Sequence, residues 1–204
     1  MKGGVRDMYK MASGFRGSFS EKFFFLRQWV KHPRQFGAIL PSSAAFCTAL
    51  ARHVSPNGYV VELGAGTGNL TKALLNQGVP PERLIVVEID ANCCAVLRKR
   101  FPHLTIIQGN AQNLCHLLPR NVVGNVRTLV SCLPFLNFPS SVRHTIVRAC
   151  TQVLTPDGQI LLLTYAPISP IPAKTFGLSK KRLEFVLFNL PPASVWHYQF
   201  SVVC

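Results

Sequence analysis

Residues 60–68 restrict the fold of this chain more than any other segment. They read Val-Val-Glu-Leu-Gly-Ala-Gly-Thr-Gly, an apolar run that ends in three closely spaced glycines. Glycine permits a tight turn, and its missing side chain lets backbone N–H groups come close to a ligand. A helical pattern follows at residues 70–77, so these N–H groups lie at the positive end of a helix. The segment therefore predicts a buried strand, a ligand-binding turn and a helix.

From residue 59 onward, short apolar and β-branched runs alternate with helical patterns. We predict strands near residues 59–63, 84–88, 105–108, 128–132 and 159–165, and helices near residues 70–77, 91–101, 112–118 and 141–154. Strands near residues 182–189 and 195–203 follow with no helix between them, which predicts an antiparallel hairpin. Such alternation indicates an α/β fold with a seven-stranded, mostly parallel sheet and helices on both faces.

The chain before residue 57 has a different character, so we divide it into a basic segment, 1–56, and a domain, 57–204. Residues 19–31 predict an amphipathic helix, and a second helix is expected from residue 42 to residue 53. The apolar stripe of the first helix and its basic flanks contain Phe19, Lys22, Phe23, Leu26, Arg27, Trp29 and Val30. A helix of this kind suits a membrane interface, but a helix packed on the core of its own domain shows the same stripe.

Composition limits the choice of partner without deciding it. The formal net charge of +14 attracts polyanions, either nucleic acid or anionic lipid. Although 48% of the residues are hydrophobic, no apolar run approaches the roughly 18–20 residues that cross a bilayer. The start of the chain lacks a secretory pattern, so we expect a cytoplasmic protein. The cysteines and histidines show no metal-ligand spacing, and no metal is predicted.

Glu88 sharpens the interpretation of the glycine turn. It ends the second predicted strand, 20 residues after Gly68, where an acid can accept two hydrogen bonds from a ribose diol. NAD would satisfy the same geometry, but its fingerprint is Gly-x-Gly-x-x-Gly. Here the turn is Gly64-x-Gly66-x-Gly68, with the acid Glu62 directly before Leu63.

This sequence pattern is similar to motif I of the class I methyltransferases, which have a Rossmann-like fold and bind S-adenosylmethionine. The resemblance implies that Glu62 helps to hold the methionine end of this cofactor. Family members often carry Gly-Asp-Ala after the third strand, with the Asp near the adenine amino group, whereas this chain has Gly109-Asn110-Ala111. The oxygen of Asn110 can still accept a hydrogen bond from that amine. The expected cofactor-binding residues are Glu62, Gly64, Ala65, Gly66, Gly68, Glu88, Ile89, Asn110, Ala111 and Ser131.

The fourth predicted strand ends in Ser131-Cys132-Leu133-Pro134, where class I enzymes position the accepting atom. Enzymes that methylate the amino group of a base carry a polar Asn here, and its absence argues against a nucleobase acceptor. We expect Ser131 and Leu133 to line the catalytic position. Tyr165, at the end of the fifth strand, is the candidate for orienting an amine or phosphate, although it could equally be a core aromatic.

Beyond the cofactor motifs, the chain resembles the bacterial phospholipid N-methyltransferases, which act on phosphatidylethanolamine and in some members on ornithine lipids. The resemblance is carried by residues 25–43, 131–134, 165–170 and 189–196, the last reading Asn-Leu-Pro-Pro-Ala-Ser-Val-Trp. It implies an aminophospholipid acceptor, phosphatidylethanolamine, and attachment to the inner, anionic leaflet of the membrane. The residues expected to meet lipid are those of the N-terminal helix together with Lys180 and Arg182, which could instead belong to a solvated basic loop.

Two other functions stay open. RNA adenine N6-dimethyltransferases are similar around residues 62–75 and 88–90, and a charge of +14 suits RNA. Against them stand the missing Asn-Leu-Pro-Tyr type motif and the missing C-terminal helical domain, so nucleic acid is not the partner we predict. A non-catalytic membrane-binding or partner-binding protein on the same fold is the second alternative, and the intact acids and glycines argue against it.

Overall fold

The computed structural model describes residues 44–164, 168–186 and 193–201. The predicted helix at residues 19–31 and Tyr165 lie outside the described residues. The helices are α1 (Ala44–Ala51), α2 (Asn69–Asn76), α3 (Ala91–Arg100), α4 (Leu114–Leu117) and α5 (Ser140–Val153). The strands are β1 (Tyr59–Leu63), β2 (Leu84–Glu88), β3 (Thr105–Gln108), β4 (Val126–Ser131), β5 (Leu154–Thr164), β6 (Leu178–Val186) and β7 (Ala193–Phe200).

The described strands form one seven-stranded sheet in the order β3-β2-β1-β4-β5-β7-β6. The first five strands run parallel, and β7 pairs antiparallel with both β5 and β6. The predicted mostly parallel sheet with an antiparallel C-terminal pair is therefore confirmed. The chain moves outward from β1 to β3 on one side and from β4 onward on the other. This reversal opens a crevice beyond the carboxyl ends of β1 and β4, where open parallel sheets bind ligands.

The sheet is covered by apolar side chains on both faces, because consecutive strand residues point to opposite sides. On one face, Phe46 and Leu50 of α1 belong to the same buried cluster as Leu74 of α2 and Leu161 of β5. On the other face, residues of α5 such as Val147 pack in the second cluster. Helix α1 therefore contributes to the core of the sheet. The predicted domain boundary at residue 57 stays a prediction.

Strands β1, β2 and β3 have their predicted bounds, whereas the later strands differ from theirs. Strand β5 begins at Leu154, five residues before the predicted start. Strand β6 begins at Leu178, four residues before the predicted start, and it includes Lys180 and Lys181. These lysines look like a loop in the sequence, but natural edge strands carry lysine to prevent further strand pairing. The predicted helix at residues 112–118 is reduced to a 3-10 turn, Ala111–Asn113, and the short helix α4. Within the described ranges, no helix is long and apolar enough to span a membrane.

Replacing Leu161 by alanine should reduce the free energy of unfolding by about 2–5 kcal/mol, because it leaves a cavity in the centre of the sheet. Leu161 is 0% exposed, whereas Leu136 is 37% exposed and provides a matched control. Leu136→Ala should change the free energy by less than about 1 kcal/mol. Urea denaturation of both variants measures the difference, and equal losses would contradict this description of the core.

Candidate functional site

The predicted site residues from four strands meet at one edge of the sheet. Leu63 is in register with both Val87 and Ser131, and Glu88 is in register with Gln108. Since these strands are parallel, their carboxyl ends face the same crevice. The glycine turn follows β1 at this edge, and the loops after β2, β3 and β4 lie beside it.

The three glycines of the turn differ in the space around them. Gly64, Gly66 and Gly68 all have positive φ, at +72°, +55° and +85°. A Cβ on Gly64 would lie 2.5 Å from Leu133 Cδ2, and one on Gly68 would lie 2.6 Å from Phe101 Cε2. A Cβ on Gly66 would meet no atom of the described chain within 4 Å. The outer glycines therefore permit close packing, while the middle one borders open space that a ligand can enter.

Glu88 is held in place by the backbone around it. Its Oε2 accepts the Gly66 N–H at 2.8 Å, and its Oε1 accepts the N–H groups of Ile89 at 2.7 Å and Asp90 at 3.0 Å. The side chain is only 5% exposed. A carboxylate has about four acceptor positions, so Glu88 retains capacity for a further donor. Its placement fits the predicted contact with a ribose diol.

Glu62 lies deeper on the same side of the crevice and has fewer partners. It is 1% exposed, and its Oε2 accepts a hydrogen bond from Thr71 Oγ1 at 2.7 Å. Its Oε1 is buried and has no partner among the residues that the structure describes. Burial raises the pKa of Glu62 to about 8; the Thr71 hydrogen bond lowers it and the charge of Glu88 raises it. Buried polar atoms are rarely left unpaired, so Oε1 is suited to a cationic group of a ligand.

Asn110 and Ser131 already bond to neighbouring groups. Asn110 Oδ1 accepts the Gln112 N–H at 3.0 Å, which caps the turn after β3. Ser131 is fully buried, and its Oγ accepts the Leu133 N–H at 3.1 Å while facing the Leu63 carbonyl oxygen at 3.5 Å. Ser131 thus fixes the end of β4 beside the glycine turn. The cofactor contact of Asn110 and the catalytic roles of Ser131 and Leu133 stay predictions.

Lys180 and Arg182 do not join this crevice. They are exposed on β6, three strand spacings from β4, which is about 14 Å. The Arg182 guanidinium lies 5.3 Å from the ring centre of Phe185 and 6.0 Å from that of Trp196. If Arg182 contacts a substrate, it therefore contacts a part of the substrate molecule that is remote from the accepting atom.

Thr71 is a site residue that the sequence interpretation missed. It lies on the buried face of α2 between Leu70 and Leu74, and it is 0% exposed. A polar residue at a buried helical position, nine residues after a buried acid, was the available signal. The contact itself depends on a side-chain rotamer that no sequence pattern reports.

A glycine turn that follows a buried acid, a second acid after β2 and this strand order define a nucleoside-binding site on a Rossmann-like fold. A family model described as a methyltransferase domain matches residues 60–158. The chain is similar to an ornithine lipid N-methyltransferase of Singulisphaera acidiphila, with 30% identity over 184 residues, which are 85% of this chain and 93% of that protein. It is also 35% identical over 142 residues to a ribosomal RNA small subunit methyltransferase A of a Synechococcus strain, covering 68% of this chain and 46% of that protein.

Among solved structures, a possible histamine N-methyltransferase from Thermotoga maritima aligns with a TM-score of 0.62 and 13% identity. The alignment covers 88% of this chain and 100% of that one, and at this identity it shows the fold alone. The chain is thus a class I methyltransferase, and S-adenosylmethionine is its cofactor, as the glycine turn predicted. Within that class it belongs to the same family as the Singulisphaera lipid N-methyltransferase.

The residues present fit this cofactor. The open space at Gly66 and the further acceptor capacity of Glu88 suit its nucleoside, and the unpaired Oε1 of Glu62 suits the ammonium group of its methionine end. Asn110 stands at the end of β3, where its oxygen keeps one acceptor position.

Gly66→Ala should weaken the binding of S-adenosylhomocysteine about tenfold or more, because the new methyl group enters the open space of the turn. Gly78→Ala is the matched control, since Gly78 also has positive φ and its Cβ would meet no described atom within 4 Å. Both variants should lose about 1–2 kcal/mol of stability from backbone strain. Calorimetric titration separates the two effects, and equal affinities in both variants would count against a ligand at Gly66.

Proposed function

We propose that the protein transfers methyl groups from S-adenosylmethionine to the amine of an aminophospholipid headgroup, phosphatidylethanolamine, while attached peripherally to an anionic membrane. The observation that carries the proposal is the 30% identity to a lipid N-methyltransferase over 93% of that protein's length. A match over 85% of this chain extends well beyond the cofactor turn, so it concerns more than the cofactor.

The described residues divide the chemical task between binding and alignment. S-adenosylmethionine, when bound, supplies a methyl group carried on a sulfonium centre. Glu88 and the turn at Gly66 would hold its nucleoside, and Glu62 would hold its amino-acid end. Ser131 and Leu133 fix the end of β4 against the turn, so the position of the accepting amine is set by packing. Tyr165 is the residue we propose to orient the amine, and alignment of this kind supplies much of the rate enhancement in a bimolecular transfer.

One face of the hairpin β6–β7 supports a lipid acceptor. Arg182 is in register with Trp196, and Phe185 is in register with Ser194, so the four side chains form a compact group that we call the hairpin patch. Phe185 is 43% exposed beside the cation of Arg182. A cation next to exposed aromatic surface suits the level of lipid headgroups, where guanidinium binds phosphate and aromatic rings enter the interface.

The same patch contains two polar atoms that lack partners. The Oγ of Ser194 and the Nε1 of Trp196 are buried, and neither is hydrogen-bonded to any residue in the described ranges. Both can donate a hydrogen bond, and Arg182 adds five more N–H groups nearby. Unpaired hydrogen-bond donors beside a guanidinium group favour an oxygen-rich anion such as a phosphodiester.

An RNA acceptor is the competing function, because the chain is also related to a ribosomal RNA methyltransferase. The chain spans only 46% of that relative, and β4 ends in Ser131-Cys132-Leu133 without the polar Asn that holds a flipped base. Purified protein should be given radiolabelled S-adenosylmethionine with three separate acceptors: phosphatidylethanolamine in anionic vesicles, ornithine lipid in the same vesicles, and ribosomal RNA.

Label in phosphatidylethanolamine that disappears in Glu88→Ala would support the proposal. Label confined to ornithine lipid would keep a lipid amine but change the headgroup, and label confined to RNA would overturn the lipid assignment. Absence of label in all three, with intact cofactor binding, would favour a non-catalytic role.

Arg182→Gln should raise the KM for vesicle lipid about fivefold, since each cation near an anionic surface contributes about 1 kcal/mol. Arg148→Gln is the matched control, because Arg148 is also an exposed arginine and lies on α5 rather than on the hairpin. Neither change should alter the affinity for S-adenosylhomocysteine. Equal KM values for the two variants would remove the hairpin patch from lipid recognition.

A further inference from the structure

The two acids of the crevice differ in the number of donors around them. Glu88 accepts three backbone N–H groups through both oxygens. Glu62 accepts one hydrogen bond, from Thr71, and its second oxygen is buried without a partner in the described part of the chain. A buried carboxylate with a single donor is costly, so an acid in this position favours its neutral form.

The charges around Glu62 point the same way. The negative charge of Glu88 on β2 raises the pKa of Glu62 further. The Cys47 thiol of α1, whose own pKa is raised to about 11 by burial and by the charge of Glu62, is neutral and offers Glu62 no cation. The basic residue of α2, Lys72, is exposed, and no ion pair to Glu62 occurs among the described residues. The pKa of Glu62 is accordingly raised to about 8, mainly by burial.

We propose that Glu62 is a neutral acid in the cofactor-free protein and gives its proton to solvent when a ligand ammonium group reaches Oε1, so that cofactor capture releases one proton. Thr71 is the positioning residue, because its hydrogen bond to Oε2 leaves Oε1 as the buried oxygen that still lacks a donor. The proton balance is simple: a neutral carboxyl group and a cation become a carboxylate–ammonium pair and a solvated proton. The proposal concerns the cofactor half of the site and does not depend on which acceptor is methylated.

Calorimetric titration with S-adenosylhomocysteine in two buffers of different ionisation enthalpy counts the protons released. At pH 7 the wild-type protein should release about one proton more than Glu62→Gln, because a group with a pKa of about 8 is about nine-tenths protonated there. The amino group of the ligand titrates in both proteins and cancels in the difference. Equal proton release in the two proteins would overturn the proposal.

The dependence of Kd on pH gives a second readout. Below pH 8, the wild-type Kd should rise about tenfold for each unit by which the pH falls, since the proton on Glu62 must be removed before the ion pair forms. Glu62→Gln should bind more weakly, with a Kd that lacks this slope. A wild-type Kd that is flat between pH 6 and pH 8 would contradict the coupling.

Thr71 is tested by removing its hydroxyl. Thr71→Val should move the pH at which the Kd slope ends to a higher value, because the lost hydrogen bond is one that lowers the pKa of Glu62. Thr71→Ser keeps the donor and should restore the wild-type profile. A purely structural role would weaken binding in Thr71→Val without moving the profile, and that result would remove Thr71 as a positioning residue.

The neutral state of Glu62 is tested without cofactor. Because its folded-state pKa lies above that of an unfolded Glu, its favourable contribution is complete at acid pH and is lost as the pH rises toward 8. Relative to Glu62→Gln, the wild-type protein should therefore become progressively less stable between about pH 4.5 and pH 8 and then level off. A constant difference across this range would show that Glu62 is already ionised, whichever acceptor the enzyme uses.

Discussion

The crevice depends on the way one carboxylate connects three segments of backbone. The side chain of Glu88 accepts N–H groups from the glycine turn after β1 and from the first residues after β2. The backbone carbonyl of Glu88 accepts the Gly109 N–H at 2.9 Å, which adds the end of β3. These side-chain bonds are part-buried, and losing one that water cannot replace leaves an unpaired polar group at a cost of about 1–3 kcal/mol. The geometry of the turn and of the strand ends is therefore set before any ligand arrives.

The packing around the turn makes the sequence requirement clear. Leu133 from the end of β4 contacts Gly64, and Phe101 from the end of α3 contacts Gly68, so neither position has room for a side chain. The turn is thus enclosed by β4 on one side and α3 on the other, and Gly66 remains as the opening. This explains why the spacing of the glycines is informative: packing excludes a side chain at two of them, and the third borders open space.

Strands β1, β2 and β3 could be predicted from the sequence because each is a short run of mostly apolar and β-branched residues that alternates with a helical pattern. Strands β1, β2 and β3 have the predicted bounds, and the acid at the end of β2 lies at the predicted edge. Strand β6 could not be placed as well, because Lys180 and Lys181 have the composition of a loop and become part of a strand only through pairing with β7. Likewise, the contact between Thr71 and Glu62 joins a helix to a strand and is decided by tertiary packing. Sequence patterns describe elements, whereas donors and acceptors are matched only after the elements have packed.

The two acids and the hairpin patch lie in different structural settings. Glu62 and Glu88 are almost fully buried at the ends of central strands, where a substitution would disturb the turn and the core together. Arg182 and Phe185 are exposed on the outermost strand, where side chains can change with little effect on stability. Relatives of this chain include a lipid methyltransferase and a ribosomal RNA methyltransferase, which is the outcome expected when one buried cofactor site serves different exposed surfaces. If the acceptor is recognised at the hairpin patch, as we propose, its recognition depends on residues that tolerate substitution well. The cofactor of such an enzyme can therefore be inferred from its motifs more directly than its substrate.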